Sequence, residues 1–289
     1  MSFFVSFKDM KNRILIILLL MLPLFTLSAE SSTALSNSTA ETLVAPLAYS
    51  VYNQDKQTSE LEGLYNKVIE EIQTSSEISS RDKQFWEAQA SYYMGKGLQN
   101  PPDMETVYEM DGYIRKGKFK KIQGLYTDID SIKSYFEKSL SIMDDYLKDN
   151  RDARGVRLYA ESLSQLSTLR STGYLISVGP KIQPLAEESV ELNPDETKAK
   201  ILLASRYVYS PKIWGGNPDK GIGMLQGLLD DKNLSLQEKH DIIVGIGFAH
   251  TMAERWDQAV AFYKKALTIF PGNVFDKAMV SICLNGGKP

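Results

Sequence analysis

The segment DIIVGIGFAHTMAERWDQAVAFYKKALTIFP, residues 241–271, predicts two helices joined by a short turn. Apolar or small residues recur three and four positions apart in both halves, which is the spacing of one helix face. Small side chains let two such helices approach closely, and Pro271 ends the second helix because proline cannot continue its hydrogen-bond ladder. The pattern is carried by Ile243, Ile246, Gly247, His250, Ala259, Tyr263 and Ala266.

These spacings resemble those of the tetratricopeptide-repeat (TPR) family, in which each repeat of about 34 residues is a helix-turn-helix unit with a small residue in each helix and a closing proline. The resemblance covers residues 80–271. It implies an all-α fold, an α-solenoid of antiparallel helix pairs with about four repeats and terminal capping helices. The family's usual binding surface is the concave face of the superhelix.

The chain divides into four predicted helix pairs, at 80–147, 151–194, 195–234 and 235–271. The first pair contains an insert at 95–128, the largest departure from the family pattern. Residues 46–79 predict an N-terminal helical cap, and residues 272–289 a C-terminal capping helix and tail. Such caps are needed because the last repeat of a solenoid otherwise exposes an apolar face.

The N-terminus predicts a targeting segment. Lys8, Lys11 and Arg13 precede an apolar run at 14–27, which is too short to span a membrane as a helix, and small residues end at Ala29. Residues 1–29 are therefore predicted to be a secretory signal peptide and residues 30–45, rich in Ser, Thr and Ala, a flexible tether. An exported protein, periplasmic or secreted, is expected; the alternative is an uncleaved N-terminal anchor.

The composition does not favour catalysis or nucleic-acid binding. The formal net charge is -3, whereas a general nucleic-acid binder needs a basic face. The chain has two histidines, ten positions apart on one predicted helix and so about 15 Å apart, and a single cysteine. No nucleophile–base motif, metal-ligand motif or phosphate-binding motif is present. The expectation is a non-enzymatic protein without a cofactor, a metal or a nucleic-acid partner.

The TPR resemblance also implies which residues line the concave face and contact a partner. These are Glu87, Ser91, Lys198, Ser205, Tyr209, Asp241, Phe248 and Thr251. TPR proteins that clamp a peptide's terminal carboxylate use Lys and Asn on the first helix, but here the fifth helix positions hold Glu87, Ile201 and Val244. That kind of clamp is not expected, and a hydrophobic peptide, a partner helix or a small amphiphile suits the lining better.

Two further segments are candidates for contact with a partner. The insert carries a basic cluster that could dock onto an acidic protein or an anionic membrane, or could simply be a solvated loop face. Its members are Arg115, Lys116, Lys118, Phe119, Lys120 and Lys121. In the loop at 209–218, Trp214 is either an exposed anchor or a side chain folded onto its own helix.

Two functions follow as hypotheses. The first is a scaffold in an exported compartment that binds a protein or peptide, including a transporter component, with peripheral membrane contact through the basic insert. The alternative is a small-ligand-binding accessory protein of a periplasmic transport system, which requires a pocket closed by the insert. A third hypothesis, a hydrolase, lacks a nucleophile–base pair.

Overall fold

The computed structural model describes residues 23–116, 118–149, 151–210 and 215–288, with side chains from residue 38 onward except those of Arg115 and Phe119. These residues form thirteen helices and no strand. The helices are α1 Pro23–Asn53, α2 Thr58–Thr74, α3 Ser80–Gln99, α4 Met104–Arg115, α5 Phe119–Gln123, α6 Ile129–Asp149, α7 Ala153–Leu169, α8 Thr172–Leu192, α9 Thr197–Tyr209, α10 Pro218–Gln226, α11 Leu236–Met252, α12 Trp256–Leu267 and α13 Val274–Leu284.

The helices of each predicted repeat pack as a pair, and the pairs follow one another along the chain, so the predicted all-α solenoid is confirmed. The four pairs are α3 with α6, α7 with α8, α9 with α10, and α11 with α12. Each pair also packs on the next, through α6 on α7, α8 on α9, and α10 on α11. Helix α13 packs on α12 at the end of the row.

Small residues let the last pair pack closely, as the sequence predicts. Gly247, Ala259 and Ala266 are all buried. A Cβ added to Gly247 would lie only 3.3 Å from the ring of Tyr263, which is itself fully buried. A larger residue at position 247 would therefore push α11 away from α12.

Helix α1 replaces the flexible tether expected at 30–45. From residue 38 onward it has a buried apolar face, to which Ala40, Val44, Leu47 and Val51 contribute. These side chains follow one another at intervals of three and four and join the main core, so α1 packs on α2 and α3. The composition of this segment predicts a tether, because small polar residues separate these apolar side chains in the sequence. Most of the predicted signal peptide, at 1–22, lies outside the described residues.

The insert begins later than expected, because α3 continues to Gln99. It then forms α4 and the short α5 before α6 starts. Helix α4 packs on α13, where Val107 is buried with Met279 and Ile282 in one apolar cluster. The insert thus links the first repeat to the C-terminal cap.

The end of α1 also meets the last repeat, across more than two hundred residues of sequence. The carbonyl of Tyr52 accepts a hydrogen bond from the Asn273 side chain at 2.9 Å, and the Asn53 side chain accepts one from Gly272 N–H at 2.8 Å. A Cβ at Gly272 would collide with the carbonyl oxygen of Asn53. Phe270 is fully buried against the rings of Tyr49 and Tyr52. We call this set of contacts the clasp.

The part of the chain that the structure describes contains no helix that is both long and apolar enough to cross a membrane.

Candidate functional site

A cavity of about 440 Å³ lies where helices from all four repeats face one another. Helices α1, α3, α4, α7, α9 and α11 and the start of α13 contribute to its wall. Four tyrosines line it: Tyr52, Tyr92, Tyr126 and Tyr209. Its charged lining residues are Lys96, Glu161, Lys198, His240 and Asp241. Apolar surface comes from Val51, Met110, Ile201, Leu202, Val244 and Phe275.

Helical periodicity explains which side chains reach this cavity. On α3 the lining residues Tyr92, Lys96 and Gln99 are spaced four and three positions apart, so they share one face. On α9, Lys198, Ile201, Leu202, Ser205 and Tyr209 follow the same rule. The insert contributes Asn100, Pro101, Met110 and Tyr126, so it forms part of the wall.

Behind one wall lies a buried ionic network centred on Arg157, whose side chain is only 4% exposed. Its guanidinium donates to Glu161 at 2.8 Å and to the side-chain oxygen of Gln89 at 3.0 Å, and it lies 3.4 Å from a carboxylate oxygen of Glu196. Burial lowers the pKa of Arg157, but the two carboxylates outweigh this effect and raise it. Glu161 thus lines the cavity, while one of its carboxylate oxygens accepts a hydrogen bond from Arg157.

Behind the opposite wall, His240 bridges two carboxylates. Its Nε2 lies 2.7 Å from Oδ2 of the fully buried Asp276, and its Nδ1 lies 3.9 Å from Asp241. Burial alone would lower the pKa of His240; the two carboxylates outweigh burial and raise it to about 9. Asp241 accepts a hydrogen bond from the Tyr52 hydroxyl at 2.7 Å, which joins this network to the clasp.

The protonated state of His240 should make stability depend on pH. The folded pKa of about 9 lies above the ordinary value of 6.5, so the stabilisation is complete below pH 6.5 and is lost as the pH rises through 9. The shift corresponds to about 3 kcal/mol at most. Urea unfolding at pH 6.5 and pH 9.5 should show a larger loss in the wild type than in His240→Gln, which cannot titrate. Equal losses in the two proteins would contradict this assignment.

The structure brings four of the eight predicted concave residues into the cavity wall: Lys198, Ser205, Tyr209 and Asp241. The other four lie elsewhere. Ser91 is fully buried and hydrogen-bonds Tyr65 of α2 at 3.1 Å, and Glu87 lies one turn before it, half-buried. The face of α3 that contains Glu87 and Ser91 packs on α2. The residues of α3 that line the cavity lie on the adjacent face, beginning with Tyr92.

Phe248 and Thr251 belong to the core and not to the cavity wall. Phe248 packs against the ring of Tyr209, with 4.8 Å between ring centroids. Thr251 is 1% exposed and donates to the carbonyl of Gly247 at 3.0 Å, beneath α12 and α13. Both positions are covered because α9 and α12 pack on this end of α11.

Four lysines of the predicted docking cluster, Lys116, Lys118, Lys120 and Lys121, are exposed. The side chains of Arg115 and Phe119 lie outside the described residues, as does Trp214 as a whole. Sequence reasoning missed Lys96, Glu161 and His240 as cavity residues. No local signal marks them, because each faces the cavity only once distant helices have packed.

Comparison with known proteins gives little. No family model matches the chain, and no curated protein matches it. Among solved structures, one described as "Crystal structure of YrrB: a TPR protein with an unusual peptide-binding site" is 16% identical, with 76% of this chain and 81% of that chain covered and a TM-score of 0.33. A likeness this distant carries no argument about the site. The structure itself shows an α-solenoid of serial, closely packed helix pairs.

Proposed function

We propose that this chain is an exported, non-enzymatic TPR-like protein that binds a small solute in its central cavity. The observation that carries the proposal is the cavity itself, since about 440 Å³ falls within the usual range of about 300–1,000 Å³ for small-molecule sites. Convergent charged groups, four tyrosines and apolar side chains line it, which is the mixture that fixes and orients a small ligand.

A small solute suits this site better than a partner helix. The usual peptide groove of a solenoid is a long concave face, whereas here the insert contributes to the wall and the clasp joins the first helix to the last repeat. The hydroxyl of Ser205 donates to the carbonyl of Ile201 on its own helix and not to a base, so the role that we propose for the wall is binding.

Filling the cavity tests the proposal. Ser205→Trp should block it, while Ser141→Trp, on the exposed side of α6, should leave it open. The wild type and both variants are screened by thermal shift against a library of small organic solutes. A solute present at about 100 times its Kd stabilises the wild type and Ser141→Trp by about 2.7 kcal/mol, and does not stabilise Ser205→Trp. The proposal fails if no solute raises Tm, or if Ser205→Trp responds like the wild type.

Export is supported by the order of charges, apolar run and small residues in 1–29. Expression of the full chain in a bacterial host should place the protein in the periplasmic fraction. Its intact mass should correspond to a chain that begins at Glu30. Retention in the membrane fraction with residues 1–29 present would support the anchored alternative instead.

Docking of a protein partner is a second candidate, favoured by the four exposed lysines of the insert. A transport protein with an acidic surface, in the same compartment, fits the accessory role. Replacing Lys116, Lys118, Lys120 and Lys121 by Gln should abolish retention of an acidic envelope partner. The same change at the exposed Lys56, Lys67, Lys148 and Lys264 should not. Retention on vesicles of anionic lipid would indicate membrane contact instead.

A further inference from the structure

The charged residues of the cavity wall fall into two groups. Glu161 accepts from Arg157 at 2.8 Å, Asp241 accepts from Tyr52 at 2.7 Å, and His240 is held by Asp276 at 2.7 Å. These three residues are therefore engaged by partners within the protein. Lys96 and Lys198 form the second group.

Neither of these two lysines makes a close ion pair, although carboxylates of the wall lie near both: Lys96 is one of the groups that outweigh burial and lower the pKa of Asp241. Among the described residues no carboxylate oxygen lies within 4.0 Å of either ammonium group. Lys198 makes a long 3.4 Å hydrogen bond to the hydroxyl of Tyr93, and Lys96 lies 5.6 Å from the ring centroid of Tyr52. An ammonium group carries three donors, so most of their hydrogen-bonding capacity is directed at the cavity.

Lys198 keeps its charge in this setting. Burial lowers its pKa, but nearby negative groups, including Glu161 and Glu238, outweigh burial and raise it. Arg157 is the cation that opposes them. The ammonium group therefore stays protonated at neutral pH, and it can donate to an acceptor on the cavity side.

We infer that the solute is an organic anion whose carboxylate is bound by Lys96 of α3 and Lys198 of α9. The inference rests on the proposed function and names its ligand class. The rest of the wall fits a carbon skeleton, since Leu202, Phe275 and Met110 offer apolar contact and Tyr92 and Tyr209 offer flat rings. Aryl and alkyl carboxylates meet both requirements, whereas an inorganic anion uses only the lysines and an organic cation meets only repulsion from them.

The inferred site is not the carboxylate clamp of TPR proteins, whose Lys and Asn residues lie at fixed positions on the first helix of each repeat and are not found here. Lys96 lies near the end of α3, beyond the positions compared above, and Lys198 lies at the start of α9. The two lysines come from different repeats, so the site exists only when the row of helices is folded. A small organic acid and the C-terminus of a short peptide both present a carboxylate. The experiment therefore includes both kinds of ligand.

The test uses isothermal titration of the full chain with a panel of short aryl and alkyl carboxylates. Each acid is paired with its primary amide and its primary amine, and short N-acetylated peptides are included as free acids and as amides. At least one acid should bind at least about tenfold more tightly than its amide, as expected for hydrogen bonds to a charged group. Binding by a small acid and not by the peptides identifies a solute as the source.

Two substitutions locate the anion. Lys96→Met and Lys198→Met keep the aliphatic stem and remove the charge. Each should bind the acid no more tightly than its amide, with the affinity for the amide unchanged. Lys200→Met, on α9 but outside the cavity wall, is the matched control and should bind the acid like the wild type.

The inference is overturned if amides or amines bind as tightly as acids, if no acid in the panel binds, or if both lysine variants keep the advantage of the acid. In each case the proposed function survives when another solute binds the wild type and fails to bind Ser205→Trp. The proposed function is contradicted only when no solute of any class binds the wild type and fails to bind Ser205→Trp.

Discussion

Replacing Arg157 by methionine should lower the free energy of unfolding by about 3–5 kcal/mol. The substitution keeps most of the side-chain volume beside the Phe85 ring, which lies 5.8 Å from the guanidinium carbon. It removes the cation from Glu161 and Glu196, which are only 14% and 17% exposed. Two nearly buried carboxylates then remain without the partner that makes their burial tolerable.

Urea unfolding at neutral pH measures this loss, and Arg151→Met is the matched control. Arg151 forms a two-point ion pair with Glu188, but on the surface, with 48% of its side chain exposed. Removing an exposed pair should cost about 1 kcal/mol or less. Equal costs for the two variants would show that the Arg157 network does not stabilise the fold.

Replacing Tyr52 by alanine should also cost about 3–5 kcal/mol, the usual range for truncating a buried aromatic side chain. The ring of Tyr52 is buried and packs on Phe270 and His240, with centroid distances of 5.3 and 5.5 Å. Its loss leaves a hole at the clasp that joins the cavity, and it removes the hydroxyl that donates to Asp241.

Tyr52→Phe separates the two contributions. It keeps the ring and removes one hydrogen bond to a carboxylate, so its expected cost is about 1.5–3 kcal/mol. Chemical denaturation measures both variants. Amide hydrogen exchange should show faster opening of α1 and of the 270–276 segment in Tyr52→Ala than in Tyr52→Phe. Equal stabilities for the two variants would mean that the ring does not hold the clasp.

The sequence predicts the helix pairs because their signals are local. Gly247, Ala259 and Pro271 each act within one pair, through close approach or chain termination. The same register predicts Lys198 and Asp241 on a shared face, and both lie in the cavity wall. It fails at Ser91 because α2 covers that face of α3, and nothing in α3 itself records where α2 packs.

The most informative contacts of the site are long-range and could not be predicted. His240 and Asp276 lie on different helices, and Tyr52 reaches Asp241 from the other end of the chain. A rule based on helix periodicity places each of these residues on a face, but it does not state which distant face lies opposite. A different reason explains why the helix that includes residues 30–45 is not predicted: serine and threonine outnumber the buried apolar residues in this segment.

The clasp changes how a repeat protein of this kind should unfold. In an open solenoid each unit touches only its neighbours, so the terminal units fray first and the protein melts by degrees. Here the hydrogen bonds of Asn53 with Gly272 and of Gln54 with Val274 tie the two termini together. Neither terminus is then free to peel away alone, and deleting α1 should loosen the C-terminal helices as much as the N-terminal ones.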